Sequence, residues 1–491
     1  MARKPRARSV TSPRAGDASP RTTAQRVSSG VTALDRILGG GFFARRMYLV
    51  EGAPGTGKTV LSGEIAFRRA ALGDRVVFAT LLVESHATLL SSYETFGFFD
   101  ENVIADAVTF VSAYEYLENE GLDGLLAVLQ RTVARRRAQW LFVDGIGIVE
   151  ELAPSLPASK RFARRLATSM SALGCTLVCS VGVEREITSM QPMADGVIRL
   201  RHVQSQMRST RSLEVIKHRG SSVRSGQHVF EISPRGMEIH PRLETAAPRV
   251  EEPPVRAELT RERVGVRAID AMLHGGLPTG STTAVMGAPG TGKTTLGLHF
   301  LGEAASRGAR PLYFGFYEPS VRLLERAARL GLPLSARNLD VLWQPALELP
   351  LDGLADRLLS ALDRTGARHV VIDGIDGFRV AALYPDRLPR FFTALGHELR
   401  LRGVTALFTQ ETNRAGADLQ DEVLGVSAVF ENLVLLRQTE HADDLCRTVA
   451  VLKVRDSDFD GHVRQFELTS RGLVVLGEPS ARRPSRARRK R

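Results

Sequence analysis

The sequence predicts an α/β protein made of two tandem P-loop domains, each a mainly parallel twisted sheet with helices on both faces. Three observations predict this. The string GAPGTGKT occurs at residues 52–59 and again at 287–294. The lead-in GVTALDRILGGG at 30–41 recurs as GVRAIDAMLHGG at 265–276, at the same offset of 235 residues that separates the two loops. An offset that long excludes a solenoid and indicates a duplicated domain. In both copies short apolar runs alternate with helical patterns, the signature of parallel strands joined by crossover helices.

Taken in order, each copy opens with an apolar strand (47–50; 283–286), then the glycine loop, then a helix. A second strand follows (75–80; 311–316), and a second helix (87–96; 321–330). Next comes an apolar strand ending in aspartate, WLFVD at 140–144 and HVVID at 369–373. An amphipathic helix (159–173; 388–402) leads to another buried strand (176–180; 405–409). Each copy closes with β-rich sequence, at 196–201 and 212–217, and at 432–437 and 448–453. The expected boundaries are 26–245 and 259–478 for the two domains. A stiff proline-rich linker occupies 246–258, and basic arms occupy 1–25 and 479–491.

Strand, glycine loop and helix together make GxxxxGK[ST] a phosphate site. Gly52, Ala53, Pro54, Gly55, Thr56 and Gly57 in the first copy, and Gly287, Ala288, Pro289, Gly290, Thr291 and Gly292 in the second, form the cradle. Glycine lets backbone N–H groups converge on phosphate oxygens, and the following helix N-terminus favours the anion. Lys58 and Lys293 are expected to reach the β- and γ-phosphates. The hydroxyls of Thr59 and Thr294 are expected to hold Mg²⁺, with Asp144 and Asp373 supplying a carboxylate to the same ion.

The net charge of +12 resides in the arms: seven Arg/Lys against Asp17 in residues 1–26, and seven with no acid in 480–491. Rich in Arg, Pro, Ser and Ala, these arms are expected to be disordered and to bind nucleic acid weakly, in a salt-dependent way. The body is near neutral. No apolar run is long enough to span a membrane. The three cysteines form no disulfide framework, and with Cys175 and Cys179 expected in the core they point to a reduced, cytoplasmic setting. Scattered histidines have no metal-ligand spacing, and Trp140 and Trp343, bordering apolar strands, are expected in the core.

The LD…GG lead-in (Leu34-Asp35 and Gly39-Gly40; Ile269-Asp270 and Gly275-Gly276), the GTGKT loop and the strand ending Asp-Gly-Ile resemble the KaiC-like branch of RecA-type ATPases, from about residue 26 to 475. The resemblance implies two RecA-like lobes, a homo-oligomer assembled as a hexameric ring, ATP with Mg²⁺ at the subunit seams, and a signalling partner. It also implies that Lys217 and Arg219, and Lys453 and Arg455, which match the family's K-x-R element, reach the γ-phosphate held by the next subunit. Where the family places two adjacent glutamates, this chain reads Val83-Glu84 and Tyr317-Glu318, so that either Glu84 and Glu318 orient the attacking water or hydrolysis is slow. Where the clock protein's Ser-Thr phosphorylation pair falls, it reads Ser427-Ala428. A one-site serine/threonine autokinase stands there beside the plainer reading of a structural serine. A recombinase-like DNA-handling ATPase using the basic arms is the alternative function.

Overall fold

The computed structural model describes residues 25–82, 86–104, 106–182, 190–205, 208–245, 260–345, 349–412, 429–441, 444–455 and 457–476. The linker, residues 1–24 of the first arm, the second arm, Val83, Glu84 and the 425–428 stretch with Ser427 lie outside the described residues. The chain divides into two compact units, with 226–229 and 239 onward grouped in the second.

Each lobe is centred on a nine-stranded sheet. In the first the order is Gly236–His240, His228–Ser233, Arg208–His218, Gly196–Ser205, Met47–Gly52, Thr176–Gly182, Trp140–Asp144, Val76–Thr80 and Val108–Ser112. The six strands from Gly196–Ser205 to Val108–Ser112 run parallel, and Arg208–His218 pairs antiparallel to them. The second lobe repeats this order with Gly472–Val475, Arg464–Thr469, Asp444–Val454, Asn432–His441, Thr282–Gly287, Thr405–Glu411, His369–Asp373, Leu312–Gly315 and Asp340–Trp343.

The central parallel strands are mainly apolar because both faces are covered. In the second lobe Ala284, Met286, Phe314, Ile372 and Phe408 pack on one side with Leu358 and Leu395, from helices Leu351–Thr365 and Leu388–Leu401. The alternate residues Val285, Tyr313, Val371 and Leu407 pack on the other side with Leu296 and Phe300 of the phosphate-loop helix Lys293–Ser306. This period of two puts a helix layer on each face. In the first lobe Met47, Leu49, Val77, Leu141 and Cys179 likewise pack with Leu125, Leu129 and Phe162.

Trp140, Cys175 and Cys179 are buried as expected. Trp343 is not: it is 42% exposed. Its strand is the outermost of the sheet, so its outer side chains have no neighbouring strand, and its indole N–H donates to Phe316 O at 3.2 Å. The closing strands of each lobe are longer than their apolar patterns, Arg208–His218 and Asp444–Val454 among them, because hydrogen-bonded pairing extends them ahead of their first buried residue.

Candidate functional site

The phosphate-loop strand ends at the carboxyl edge of each sheet. There the chain must reverse into a helix, and glycine makes the reversal. Gly57 and Gly292 have φ of 96° and 98° as the residues that open helices Lys58–Ala71 and Lys293–Ser306, a conformation that costs any residue with a Cβ. A Cβ on Gly52 would fall 2.6 Å from Leu200 O, and one on Gly287 2.4 Å from Leu436 O. At the crown, Gly55 and Gly290 have nothing within 4 Å of that position, which leaves the concave side open to a ligand. Thr56 and Thr291 brace the loops from inside, each hydroxyl donating to the carbonyl of Ala53 or Ala288 at 2.8 Å.

Lys58 Nζ donates to Gly52 O and Ala53 O at 2.7 and 2.9 Å, and Lys293 Nζ to Gly287 O and Ala288 O at 2.8 and 2.9 Å. Burial lowers both ammonium pKa values from the usual lysine range, against the pull of Asp144 on Lys58 and of Glu411 and Asp373 on Lys293. A desolvated cation held over an open glycine cradle is set to meet phosphate.

Thr59 Oγ1 donates to Asp144 Oδ2 at 2.9 Å, and Thr294 Oγ1 to Asp373 Oδ2 at 3.0 Å. Strand and helix thus bring together residues 85 and 79 positions apart in the chain. The other oxygen of each carboxylate is held from the neighbouring strand: Ser180 donates to Asp144 Oδ1, and Thr409 donates to Asp373 Oδ1 at 2.5 Å. A hydroxyl and a hard carboxylate beside a phosphate cradle suit Mg²⁺, which keeps water and phosphate as its remaining ligands. Among the described residues no cluster of three His, Cys, Asp or Glu is arranged as a self-sufficient metal cage. In the second lobe Tyr313 also donates to Asp373 Oδ2, at 2.5 Å. Burial and the nearby carboxylate push its phenol pKa up, so it remains a donor.

Glu318 lies in an ion pair with Arg326 at 3.0 Å. The preceding Tyr317 is 61% exposed, its ring against Gly374, where a Cβ would fall 2.7 Å from Cε2. Lys217 and Arg219 flank the buried His218 and point the other way; Lys217 Nζ donates to Gln191 O at 3.2 Å and Lys453 Nζ to Phe430 O at 2.9 Å. Register fixes their distance from the loop. His218 pairs with Gly196, which pairs with Tyr48, four residues before Gly52. Val454 pairs with Asn432, and Asn432 with Thr283, four residues before Gly287. Four strand residues span roughly 13 Å, so each K-x-R element sits at the end of the sheet away from its own phosphate loop.

Beyond Tyr313, two further contributors to the site were not anticipated from the sequence. Glu411, at the end of its strand, is 3.9 Å from Lys293 Nζ; the matching residue in the first lobe is Gly182. The final hairpin of each lobe backs the loop: a Cβ on Gly57 would meet Ile232 at 2.8 Å, and one on Gly292 would meet Leu468 at 2.9 Å. The apolar alternation at 230–239 and 466–473 was the available signal.

Two parallel sheets, each presenting a glycine cradle, a lysine and a threonine–aspartate pair at its carboxyl edge, define a tandem P-loop protein of the RecA-like class. The sequence profile of the family described as "ATPase: KaiC" matches residues 27–244 and again 263–480. The chain belongs to the KaiC ATPase family. It is similar to the circadian clock oscillator protein KaiC of Picosynechococcus sp., 24% identical over 471 residues that cover 92% of this chain and 89% of the relative. KaiC 1 of Synechocystis sp. is 24% identical with the same coverages. KaiC of Synechococcus elongatus is 24% identical, with 90% and 87% covered.

Proposed function

We propose that the chain is a ring-forming KaiC-type ATPase that binds Mg-ATP at both loops, hydrolyses it at subunit seams, and serves a regulatory or timing role through a protein partner. The lobes are taken as 26–245 and 259–478. The observation that carries the reading is the twin threonine–aspartate pair, Thr59–Asp144 and Thr294–Asp373, each beside a glycine cradle with its lysine.

In this reading the loop N–H groups and Lys58 or Lys293 bind the β- and γ-phosphates. Thr59 with Asp144, and Thr294 with Asp373, would hold Mg²⁺, which when bound offsets phosphate charge. Glu84 and Glu318 orient the water, with Glu318 leaving Arg326 to do so. Because each K-x-R element lies at the far end of its own sheet, Lys217 and Arg219, or Lys453 and Arg455, act on the nucleotide of a neighbouring copy. That arrangement makes hydrolysis conditional on assembly.

Native mass measurement with and without Mg²⁺ and a non-hydrolysable ATP analogue tests the reading. The expected result is a closed oligomer, a hexamer by family resemblance, with two nucleotides per chain. A monomer at every analogue concentration, or no bound nucleotide, overturns it. The charge of the arms favours one second reading, a DNA-handling ATPase. The full chain would then bind DNA in a salt-dependent way and lose that binding when residues 1–25 and 479–491 are removed; no DNA binding by the full chain excludes it. The family resemblance also carries a one-site autokinase at Ser427 beside the plainer reading of a structural serine; phosphate mapping after incubation with labelled ATP tests it, and no label at Ser427 removes it.

A further inference from the structure

The two lobes share one pattern, but four positions around their metal-facing aspartates differ together. In the first lobe they are Gly63, Phe78, Thr80 and Tyr93. In the second they are Leu298, Tyr313, Gly315 and Ala327. Register fixes the strand equivalences, since Thr80 pairs with Asp144 as Gly315 pairs with Asp373. On the following helix, Leu89 and Tyr93 are buried in the first lobe and Leu323 and Ala327 in the second, at the same spacing.

The exchanges compensate in volume. In the first lobe a large ring comes from the helix: Tyr93 lies against Gly63, where a Cβ would fall 2.4 Å from it, and its hydroxyl donates to Thr59 O at 2.9 Å. In the second lobe the helix offers only Ala327, and the phenol comes from the strand. Tyr313 fits because Gly315 lacks a Cβ, which would fall 2.5 Å from its ring. The hydroxyl has thereby moved from the backbone of the metal-site threonine to the carboxylate of the metal-site aspartate, where it donates to Asp373 Oδ2 at 2.5 Å.

We propose that Tyr313 is a positioning residue that sets the metal demand of the second lobe: by occupying Asp373 Oδ2, it makes this lobe need more divalent cation to bind nucleotide than the first lobe needs. The inference rests on the reading that each loop binds Mg-nucleotide. A carboxylate has about four lone-pair directions on its two oxygens. Oδ2 of Asp373 accepts from both Thr294 and Tyr313, whereas among the described residues Oδ2 of Asp144 accepts from Thr59 alone. A second neutral donor draws charge from the oxygen that faces the metal site and removes a direction in which a metal-held water would donate. Tyr313 is not needed to orient the group, because Thr409 already fixes Asp373 Oδ1 as Ser180 fixes Asp144 Oδ1.

The test titrates Mn²⁺ into the full chain with a saturating non-hydrolysable ATP analogue, reading free Mn²⁺ by electron paramagnetic resonance and bound analogue by equilibrium dialysis. Lys58→Ala isolates the second lobe and Lys293→Ala the first. The half-saturating Mn²⁺ is expected to be roughly ten-fold higher in the second lobe, the scale of outer-shell effects on metal sites. Tyr313→Phe, which keeps the ring and removes only the hydroxyl, is expected to abolish most of that difference. Equal demand in the two lobes with Tyr313 unaltered overturns the proposal without relying on how the Phe variant folds. So does weaker metal binding in Tyr313→Phe. If neither lobe binds analogue at any Mn²⁺ concentration, the nucleotide reading itself falls and the proposal with it; bound analogue with equal demand removes the proposal alone.

Discussion

In the proposed reading, nucleotide binding turns on the phosphate-loop lysines. Each is turned onto two loop carbonyls, which would exchange for phosphate oxygens at little cost in side-chain ordering. Lys58→Ala and Lys293→Ala are each expected to weaken binding roughly 100-fold at one loop and leave the other unchanged, since a charge-assisted contact to phosphate is lost; equilibrium dialysis with labelled analogue counts one site per chain in either variant. Among the described residues, a strand-end carboxylate sits beside Lys293 and none beside Lys58. Glu411 is half-exposed at 3.9 Å, so solvent screens the pair and its effect is modest. Glu411→Gln is expected to tighten nucleotide binding at the second loop by about three- to ten-fold, with the gain shrinking at high salt in a fluorescent-nucleotide titration. The cradle, Lys58, Lys293, Thr59, Asp144, Thr294 and Asp373 were legible in the sequence because a contiguous motif and an apolar strand ending in aspartate are local patterns. Tyr313 and Glu411 were not, because each acquires meaning only from the strand beside it: one reaches across to Asp373, and the other lies opposite Gly287 in the register.

At the scale of elements, the final hairpin of each lobe is latched to the phosphate-loop helix by a different chemistry. In the first lobe Glu64 accepts from Met237 N–H at 2.8 Å, and in the second His299 Nε2 accepts from Leu473 N–H at 3.2 Å. Burial lowers the pKa of His299 from its ordinary value of 6.5, so the folded ring is neutral and can accept. This latch is intact at neutral pH and is lost as pH falls below 6.5 through the folded value, because an imidazolium has no acceptor. A protonated carboxyl keeps one, so Glu64 still accepts. Amide deuterium uptake at 472–475, corrected for intrinsic exchange, is therefore expected to rise between pH 7 and 5 while that at 236–240 changes less; His299→Gln, whose amide oxygen accepts at any pH, should remove the rise. A second asymmetry works in the first lobe. His218 is wedged against Phe43 and Tyr48, with ring centroids 5.3 and 5.7 Å away, where the second lobe has Val454. Burial and the neighbouring Arg26 push His218 down to about 4. A group neutral in the fold and protonated when unfolded costs stability as pH drops from 6.5 towards 4, by at most about 3 kcal/mol. His218→Val should flatten the acid limb of first-lobe unfolding, followed by thermal melts between pH 7 and 4.5. Repeat offsets and apolar runs made the central strands and the phosphate-loop helices readable in advance, but not helices Tyr114–Arg136 and Leu351–Thr365 or the outer strands Val108–Ser112 and Asp340–Trp343. The latches were hidden because Glu64 and His299 look like ordinary polar helix residues until the hairpin lands on them.

For the whole molecule, duplication places two cradles and two K-x-R elements in one chain, and the sheet register separates each element from its own cradle by roughly 13 Å. A cation at that distance does not touch the γ-phosphate of its own lobe, so in the proposed ring it acts on the cradle of the next copy. Removal of one such cation is expected to leave nucleotide binding intact and slow hydrolysis by roughly 10³-fold or more. Mixing separates action between copies from action within one. With the first loop silenced throughout by Lys58→Ala, chains carrying Arg455→Ala keep a working second cradle and lack the cation; chains carrying Lys293→Ala keep the cation and lack the cradle. Each alone should be nearly inactive. Randomly mixed one to one and allowed to exchange, about a quarter of the seams would join an intact cation to an intact cradle, and ATPase activity should recover to about that fraction of the Lys58→Ala parent. Recovery requires that the groups come from different chains, whereas a cation acting on its own lobe would leave the mixture as inactive as its parts.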